Sequence, residues 1–326
     1  MKAAQIVGPR QVKLVEVAEP NLTEMPPSRI KVRMERACLC GSDSPYFDYE
    51  QAYYPLPVGM SIHECIGTVV ESTSSQFQPG DFVLAWPDVH QGGLAEYITA
   101  ADYRSIHLPR NGAQPEEILM CQPLGTVIWA CQKLGNLLDK HVVIMGQGPM
   151  GLLFTHMLSN LGARSVIAMD KLDYRLEAAR RMKATHTVNV THQDPVEAVH
   201  DVTGGQMADL VVEAIGHQVD VIDTCMDMLR RLGALLTFGV PDEDLRHNFP
   251  FRKLFRQNLT LIGSVGPDMV PNFSLARDMI AQGRINVSPL ITHVLPFREV
   301  QKAYELFVDR KDGAIKVVLD YSNLSG

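Results

Sequence analysis

The sequence predicts an α/β chain of two domains, in which a parallel-sheet domain is inserted into a β-rich one. Three observations carry this expectation. The first third consists of short Val- and Ile-rich runs separated by Pro, Gly and Asn turns. From Val142 onward, uniformly apolar strands alternate with helical periods, the pattern of a parallel sheet covered on both faces. The tail adds a helix and a last strand that need partners, so it returns to the β-rich part. The expected domains are residues 1–123, 124–265 and 266–326, the outer two forming one unit.

In the first part the expected strands are Lys2–Val7, Val12–Val17, Ile30–Arg36, Gly67–Glu71, Asp81–Trp86 and Leu94–Thr99. Pro79-Gly80-Asp81 and Gln91-Gly92-Gly93 supply turns between them. The period changes near Cys121, with a helix expected over Gly125–Leu134 and a strand over Val142–Met145. Helices follow at Met150–Leu161, Tyr174–Met182, Pro195–Val202 and Val219–Leu229. Strands are expected at Val166–Asp170, Thr185–Val190, Asp209–Ile215, Ala234–Phe238 and Leu259–Val265. The tail reads as helix Glu299–Asp309 and strand Ile315–Asp320.

Hydrophobic residues make up 46 % of the 326 positions, enough apolar material for two cores. The net charge of −7 excludes the basic field of a nucleic-acid binder. No Lys and Arg run marks a membrane surface, and the apolar stretches are broken well before spanning length. The first residues lack a signal-peptide core, so the chain is expected to be cytoplasmic. Cys38, Cys40, Cys65, Cys121, Cys131 and Cys225 are too few for a disulfide scaffold and read as core residues or metal ligands.

Gly146-Gln147-Gly148-Pro149-Met150-Gly151 directly follows the Val142–Met145 strand and opens an amphipathic helix. The apolar face of that helix is expected to hold Met150, Leu153, Phe154, Met157, Leu158 and Leu161. In such a motif Gly146 makes the tight turn, Gly148 lets a pyrophosphate approach the backbone, and Gly151 allows close helix–strand packing. The helix N-terminus supplies free N–H groups and a positive dipole end. Asp170 closes the second strand where a dinucleotide fingerprint has its acid. Its carboxylate would accept the adenosine ribose hydroxyls and repel a 2′-phosphate, which favours NAD over NADP. Lys171 and Arg175 follow it as cations that could instead assist a phosphate.

Two short segments carry Cys and His, the preferred ligands of zinc: Cys40-Gly41-Ser42-Asp43 and His63-Glu64-Cys65-Ile66-Gly67. Taken singly, Cys40 reads as a small buried hydrophobe and His63 as a satisfied polar residue. In order and spacing with Pro79-Gly80-Asp81 and the glycine motif, the chain resembles the zinc-dependent medium-chain dehydrogenase/reductase family, from about Lys2 to Leu319. The resemblance implies a Rossmann dinucleotide-binding domain inserted into a GroES-like catalytic domain. It implies an NAD-dependent alcohol or polyol dehydrogenase.

Carried over by position, the resemblance makes Cys40 and His63 zinc ligands and Glu64 a carboxylate able to join them. It makes Ser42 the acceptor of the alcohol proton and Asp43 the carboxylate that orients His63. Tyr46, Trp86, His90, Gln122 and Trp129 fall at the substrate pocket, with core filling as the plainer reading of the two tryptophans. Gly239, Val240, Ser264 and Val265 fall where the family's backbone meets the nicotinamide amide. The edge strand Leu259–Val265 implies a homodimer or tetramer.

Three departures bear on the site. The third-ligand position of the family holds Gln122, a poor neutral ligand, which leaves Glu64 or Cys121 to complete the shell. Pro45 stands where many relatives keep a relay histidine. Between Trp86 and Gly93 the four cysteines of a structural zinc lobe are missing, so one zinc per chain is expected. Two other readings fit parts of this pattern: a zinc-free enone or quinone reductase of the same fold, and a non-catalytic nucleotide-binding paralogue.

Overall fold

In Arg29–Cys38, Ile30, Val32 and Met34 point inward at every second position, the period of a strand with one covered face. This strand is central to one of two compact units in a computed structural model of the chain. The structure describes residues 1–49, 51, 53–88, 92–216, 221–241 and 249–324. One unit comprises Met1–Gly125 with Asp268–Gly326, and the other Thr126–Pro267.

In the first unit a hairpin, Lys2–Gly8 with Gln11–Glu16, accompanies a seven-stranded sheet among the described residues. The sheet runs Ile291–Pro296, Lys316–Asp320, Arg29–Cys38, Glu64–Ser72, Phe82–Ala85 and Ser105–His107, and Tyr97–Ala101 pairs with Arg29–Cys38. The register places Val318 opposite Cys38, and Cys38 opposite Glu64. A core of Ile30, Val32, Leu39, Phe47, Ile62, Val69, Phe297 and Tyr304 backs the strand ends that carry the chemistry.

The tail contains more than its sequence suggested. Helix Met269–Ala281 and strand Ile291–Pro296 were not anticipated. The strand reads poorly because its burial alternates, with Thr292 and Val294 exposed and only partial cover between them. The helix expected over Gly125–Leu134 instead spans Cys121–Cys131. Pro123 is tolerated there because, as third residue of the helix, its missing N–H falls among those that have no intrahelical partner.

The second unit has a six-stranded parallel sheet among the described residues. Its order is His186–Asn189, Ser165–Asp170, His141–Met145, Ala208–Glu213, Leu229–Thr237 and Thr260–Gly263. The order reverses between His141–Met145 and Ala208–Glu213. Ligands of doubly wound sheets bind beyond the carboxyl ends of the strands at such a switch point. Helix Pro149–Asn160 packs Leu152, Leu153, Phe154, Met157 and Leu158 inward. Leu161 does not share that face: it is the C-cap and is 44 % exposed. The edge strand is shorter than Leu259–Val265, because Leu259 N bonds back to Leu254 and Val265 lies beyond the last pair. The first two residues of the expected helix Val219–Leu229 lie outside the described residues, and the structure shows Val221–Asp227.

Asp209 ties the amino ends of this sheet. It accepts from His141 N at 2.9 Å and from the Arg230 guanidinium at 2.6 and 2.7 Å, with Lys140 Nζ at 3.4 Å. Burial works to raise this carboxyl, but these bonds and charges hold it below its ordinary value. A carboxyl lowered on folding stabilises the fold above its unfolded value of about 3.9, and that contribution fades as pH falls toward the folded value. Asp209→Ala is therefore expected to lower stability at pH 7 by about 2 kcal/mol. Denaturant titrations should show the difference from wild type narrowing below about pH 4.

A candidate metal centre and a candidate nucleotide site

The strand Arg29–Cys38 runs out into Leu39 and Cys40, and the chain then turns through Gly41–Asp43 into the short helix Ser44–Asp48. Asp43 is buried and accepts from Cys40 N at 2.8 Å, closing that turn. Its other oxygen accepts from Ile62 N at 2.8 Å and Ser61 Oγ at 2.9 Å. Tyr304 Oη in turn donates to Ser61 Oγ at 2.7 Å. One carboxylate therefore holds both segments that carry Cys and His. It meets the His63 segment through the backbone of Ile62, one residue before the ring.

The second segment is strained. Ser61 and Ile62 have φ values of 102° and 61°, a region that a β-branched residue rarely enters. Gly93 N bonds to both carbonyls of this turn at 2.8 Å. A Cβ on Gly92 would lie 2.0 Å from Ser61 O, so only glycine allows that close approach. His63 leaves the turn with its ring stacked on Trp86, centroids 4.5 Å apart. Arg104 also lies over the Trp86 ring, 5.5 Å from its centroid, and Phe273 is stacked on it at 6.4 Å.

These constraints bring Cys40 Sγ, a His63 ring nitrogen and a Glu64 carboxylate oxygen within 4.8 Å of one another. A soft sulfur, an imidazole and a carboxylate at that closeness suit a zinc ion. Glu64 is fully buried, and both of its oxygens meet Lys316 Nζ, at 2.5 and 2.7 Å. Lys316 also donates to Leu39 O at 3.1 Å. Burial pushes the Glu64 carboxyl up to about 7 against the opposing pull of Lys316. Desolvation works to lower the Lys316 ammonium, yet the facing sulfur and carboxylate groups raise it.

Ser42 is exposed on the turn beside Cys40. Tyr46 is half-buried against the core, and burial raises its phenol. Gln122 and Cys121 are buried, and desolvation drives the Cys121 thiol far up, which keeps it protonated. Trp129 belongs to the other unit, where Lys133 Nζ sits 5.0 Å from its ring centroid. His90 lies outside the described residues. Sequence reasoning missed Ser61, 18 positions from Asp43, and also Lys316 and Tyr304, which act across more than two hundred positions where nothing local marks them.

In the second unit the glycine motif sits at the switch point. Gly146 has φ 96°, and a Cβ there would lie 2.7 Å from Ile215 Cγ1. A Cβ on Gly151 would fall 1.8 Å from Gly146 O, so the helix can pack on the turn only with glycine there. Gly148 caps helix Pro149–Asn160, with Pro149 and Met150 in its first turn. Asp170 accepts from Gln147 N at 2.7 Å and Leu172 N at 3.0 Å, with Arg175 Nη1 at 3.6 Å. Lys171 is exposed. Glu213, also missed, accepts from Ile215 N, Gly216 N and Gly239 N and fixes the loops past two strand ends. Val240 and Val265 are largely exposed, and Ser264 Oγ accepts from Lys133 Nζ at 3.0 Å.

The family described as zinc-binding dehydrogenase matches residues 149–282. The alcohol dehydrogenase GroES-like domain matches residues 26–110. An L-threonine 3-dehydrogenase of Bacillus velezensis is 25 % identical over 94 % of this chain and 94 % of its own length. Sorbitol dehydrogenase 1 of Saccharomyces cerevisiae is 27 % identical over 90 % of this chain and 91 % of its own. The solved alcohol dehydrogenase of Thermus sp. ATN1 is 27 % identical, with a TM-score of 0.87 over 98 % of this chain and 99 % of that one.

Asp43→Ala would strand the Cys40 and Ile62 amides and the Ser61 hydroxyl without their acceptor. The expected loss is about 3 kcal/mol of unfolding free energy, read by chemical denaturation. Asp43→Asn, which keeps one acceptor oxygen, should lose clearly less.

Proposed function

The chain belongs to the zinc-dependent medium-chain dehydrogenase/reductase family, and from that premise we propose a zinc- and NAD-dependent oxidation of an alcohol or polyol. The observation that carries the reading is the convergence of Cys40, His63 and Glu64 donor atoms within 4.8 Å in the unit that matches the GroES-like domain. That convergence weighs against the zinc-free reductase. We assign Cys40, His63 and Glu64 as the residues that hold the metal.

When bound, zinc supplies the Lewis acidity that makes an alcohol hydroxyl acidic near neutral pH. The rest falls to the chain. Ser42, exposed on the Cys40 turn, takes the hydroxyl proton. Trp86 covers one face of His63 and holds the ring in orientation. Asp43 keeps the two donor segments at fixed spacing. Gly146, Gly148, Pro149, Met150 and Gly151 receive the pyrophosphate, and Asp170 receives the adenosine ribose. Bound NAD would supply the hydride acceptor for the carbinol carbon.

The names of relatives that act on threonine and sorbitol support a secondary alcohol with a polar neighbour as substrate. Tyr46 beside the Cys40 segment supplies a group that such a neighbour could pair with.

The protein as purified should contain about one zinc per chain and reduce NAD with members of a polyol and secondary-alcohol panel. Cys40→Ser should abolish turnover and leave NADH fluorescence binding intact. Two zincs by metal analysis, or turnover surviving Cys40→Ser, would defeat the assignment.

Cofactor choice is expected to favour NAD over NADP at least about tenfold in kcat/KM, since a carboxylate facing a phosphate is repulsive. Asp170→Ala should narrow that ratio. Equal use of both cofactors by wild type would show that Arg175, 3.6 Å from Asp170, neutralises the acid's effect.

A further inference from the structure

Lys316 stands beside the three candidate metal donors, in contact with one of them. It is 1 % exposed in its side chain, lies on the returning strand Lys316–Asp320, and belongs to neither segment that carries Cys or His. Its three N–H groups are spent on two targets, the two oxygens of Glu64 and the carbonyl of Leu39, the residue before Cys40. A dication and an ammonium draw on the same single negative charge of a carboxylate, although its two oxygens carry lone pairs enough to meet both. Both oxygens of Glu64 face the ammonium, while one of its carboxylate oxygens stands within 4.8 Å of the other two donors. A metal held by Glu64 would share that charge with Lys316.

We infer that Lys316 is a positioning residue that rations Glu64 to the metal, so that the affinity and coordination of the site are set by a contest between the buried ammonium and the ion. The inference rests on the reading that Cys40, His63 and Glu64 hold the metal. Lys316 touches neither substrate nor cofactor in this account. Lys316 is the ion-pair partner that Glu64 has among the described residues, so removing it leaves the metal as the partner for that carboxylate.

The test is a double-mutant cycle on metal-stripped protein, titrated with cobalt(II) and read by the visible absorption of the bound ion. Lys316→Met should bind cobalt at least about tenfold more tightly than wild type and shift the spectrum, in the range by which outer partners alter metal sites. Glu64→Gln should remove that gain in the Lys316→Met background and cost less in the wild-type background. Lys316→Arg, which keeps a cation, should stay near wild type. Lys316→Met protein that folds only when cobalt is present also supports the inference, because the ion then replaces the ammonium. The inference falls if Lys316→Met binds no more tightly, if Glu64→Gln leaves the gain in place, or if Lys316→Met fails to fold even with cobalt. Failure of the underlying site would look different: wild type would take up no cobalt, or Cys40→Ser would bind it as well as wild type does.

Discussion

The register of three neighbouring strands is the constraint on which the metal-binding unit depends. Val318 lies opposite Cys38 and Cys38 opposite Glu64, and the Leu39 N to Val317 O bond of 3.1 Å carries the pairing past the strand end. A slip of one residue would turn every side chain to the other face. In the observed register Lys316 and Glu64 meet inside the sheet's cover, with Cys40 just beyond the strand end. Neither charge could be buried alone, because an unpaired ion there would cost several kcal/mol on the order of a lost buried pair, about 3–5. The pair thus penalises other registers.

The nucleotide unit reaches rigidity by another route, close backbone approach. Gly151 and Gly146 meet with no room for a Cβ, and Gly239 would place one 2.1 Å from Gly216 N. Glu213 fills the space between these loops with a carboxylate that accepts three backbone amides. Loops past strand ends usually satisfy their amides with water, which is mobile. Here a buried acid does it, so the backbone around the switch point is held before any ligand arrives.

What the sequence disclosed follows from how far apart the cooperating residues lie. Cys40 with Asp43, His63 with Glu64, and Gly146 through Gly151 are neighbours in the chain, so their spacing alone suggested chemistry. The alternating units around them gave the α/β class for the same reason, since period is local. Lys316 and Tyr304 act on residues more than two hundred positions away and look like ordinary members of a strand and a helix. Trp86 was named for the substrate pocket by position, and the stack on His63 could be seen only in three dimensions. Boundaries went astray at helix ends, where the period fades: the start of helix Cys121–Cys131 was set at Gly125, and Leu161 was counted on a face that the helix had already left.

Gln122 in place of an anionic residue and Lys316 beside Glu64 bear on each other as a matter of charge. Beside Cys40 the structure buries two carboxylates, Asp43 and Glu64, and one ammonium, Lys316, which is 1 % exposed in its side chain. Asp43 is satisfied by two backbone amides and a hydroxyl, whereas Glu64 is satisfied by the ammonium. Each further buried charge would carry its own desolvation cost, and the neutral glutamine at position 122 adds none. A metal entering beside Cys40 would therefore meet acids already held, one by the amides of its own two segments and the other by a cation from the far end of the chain.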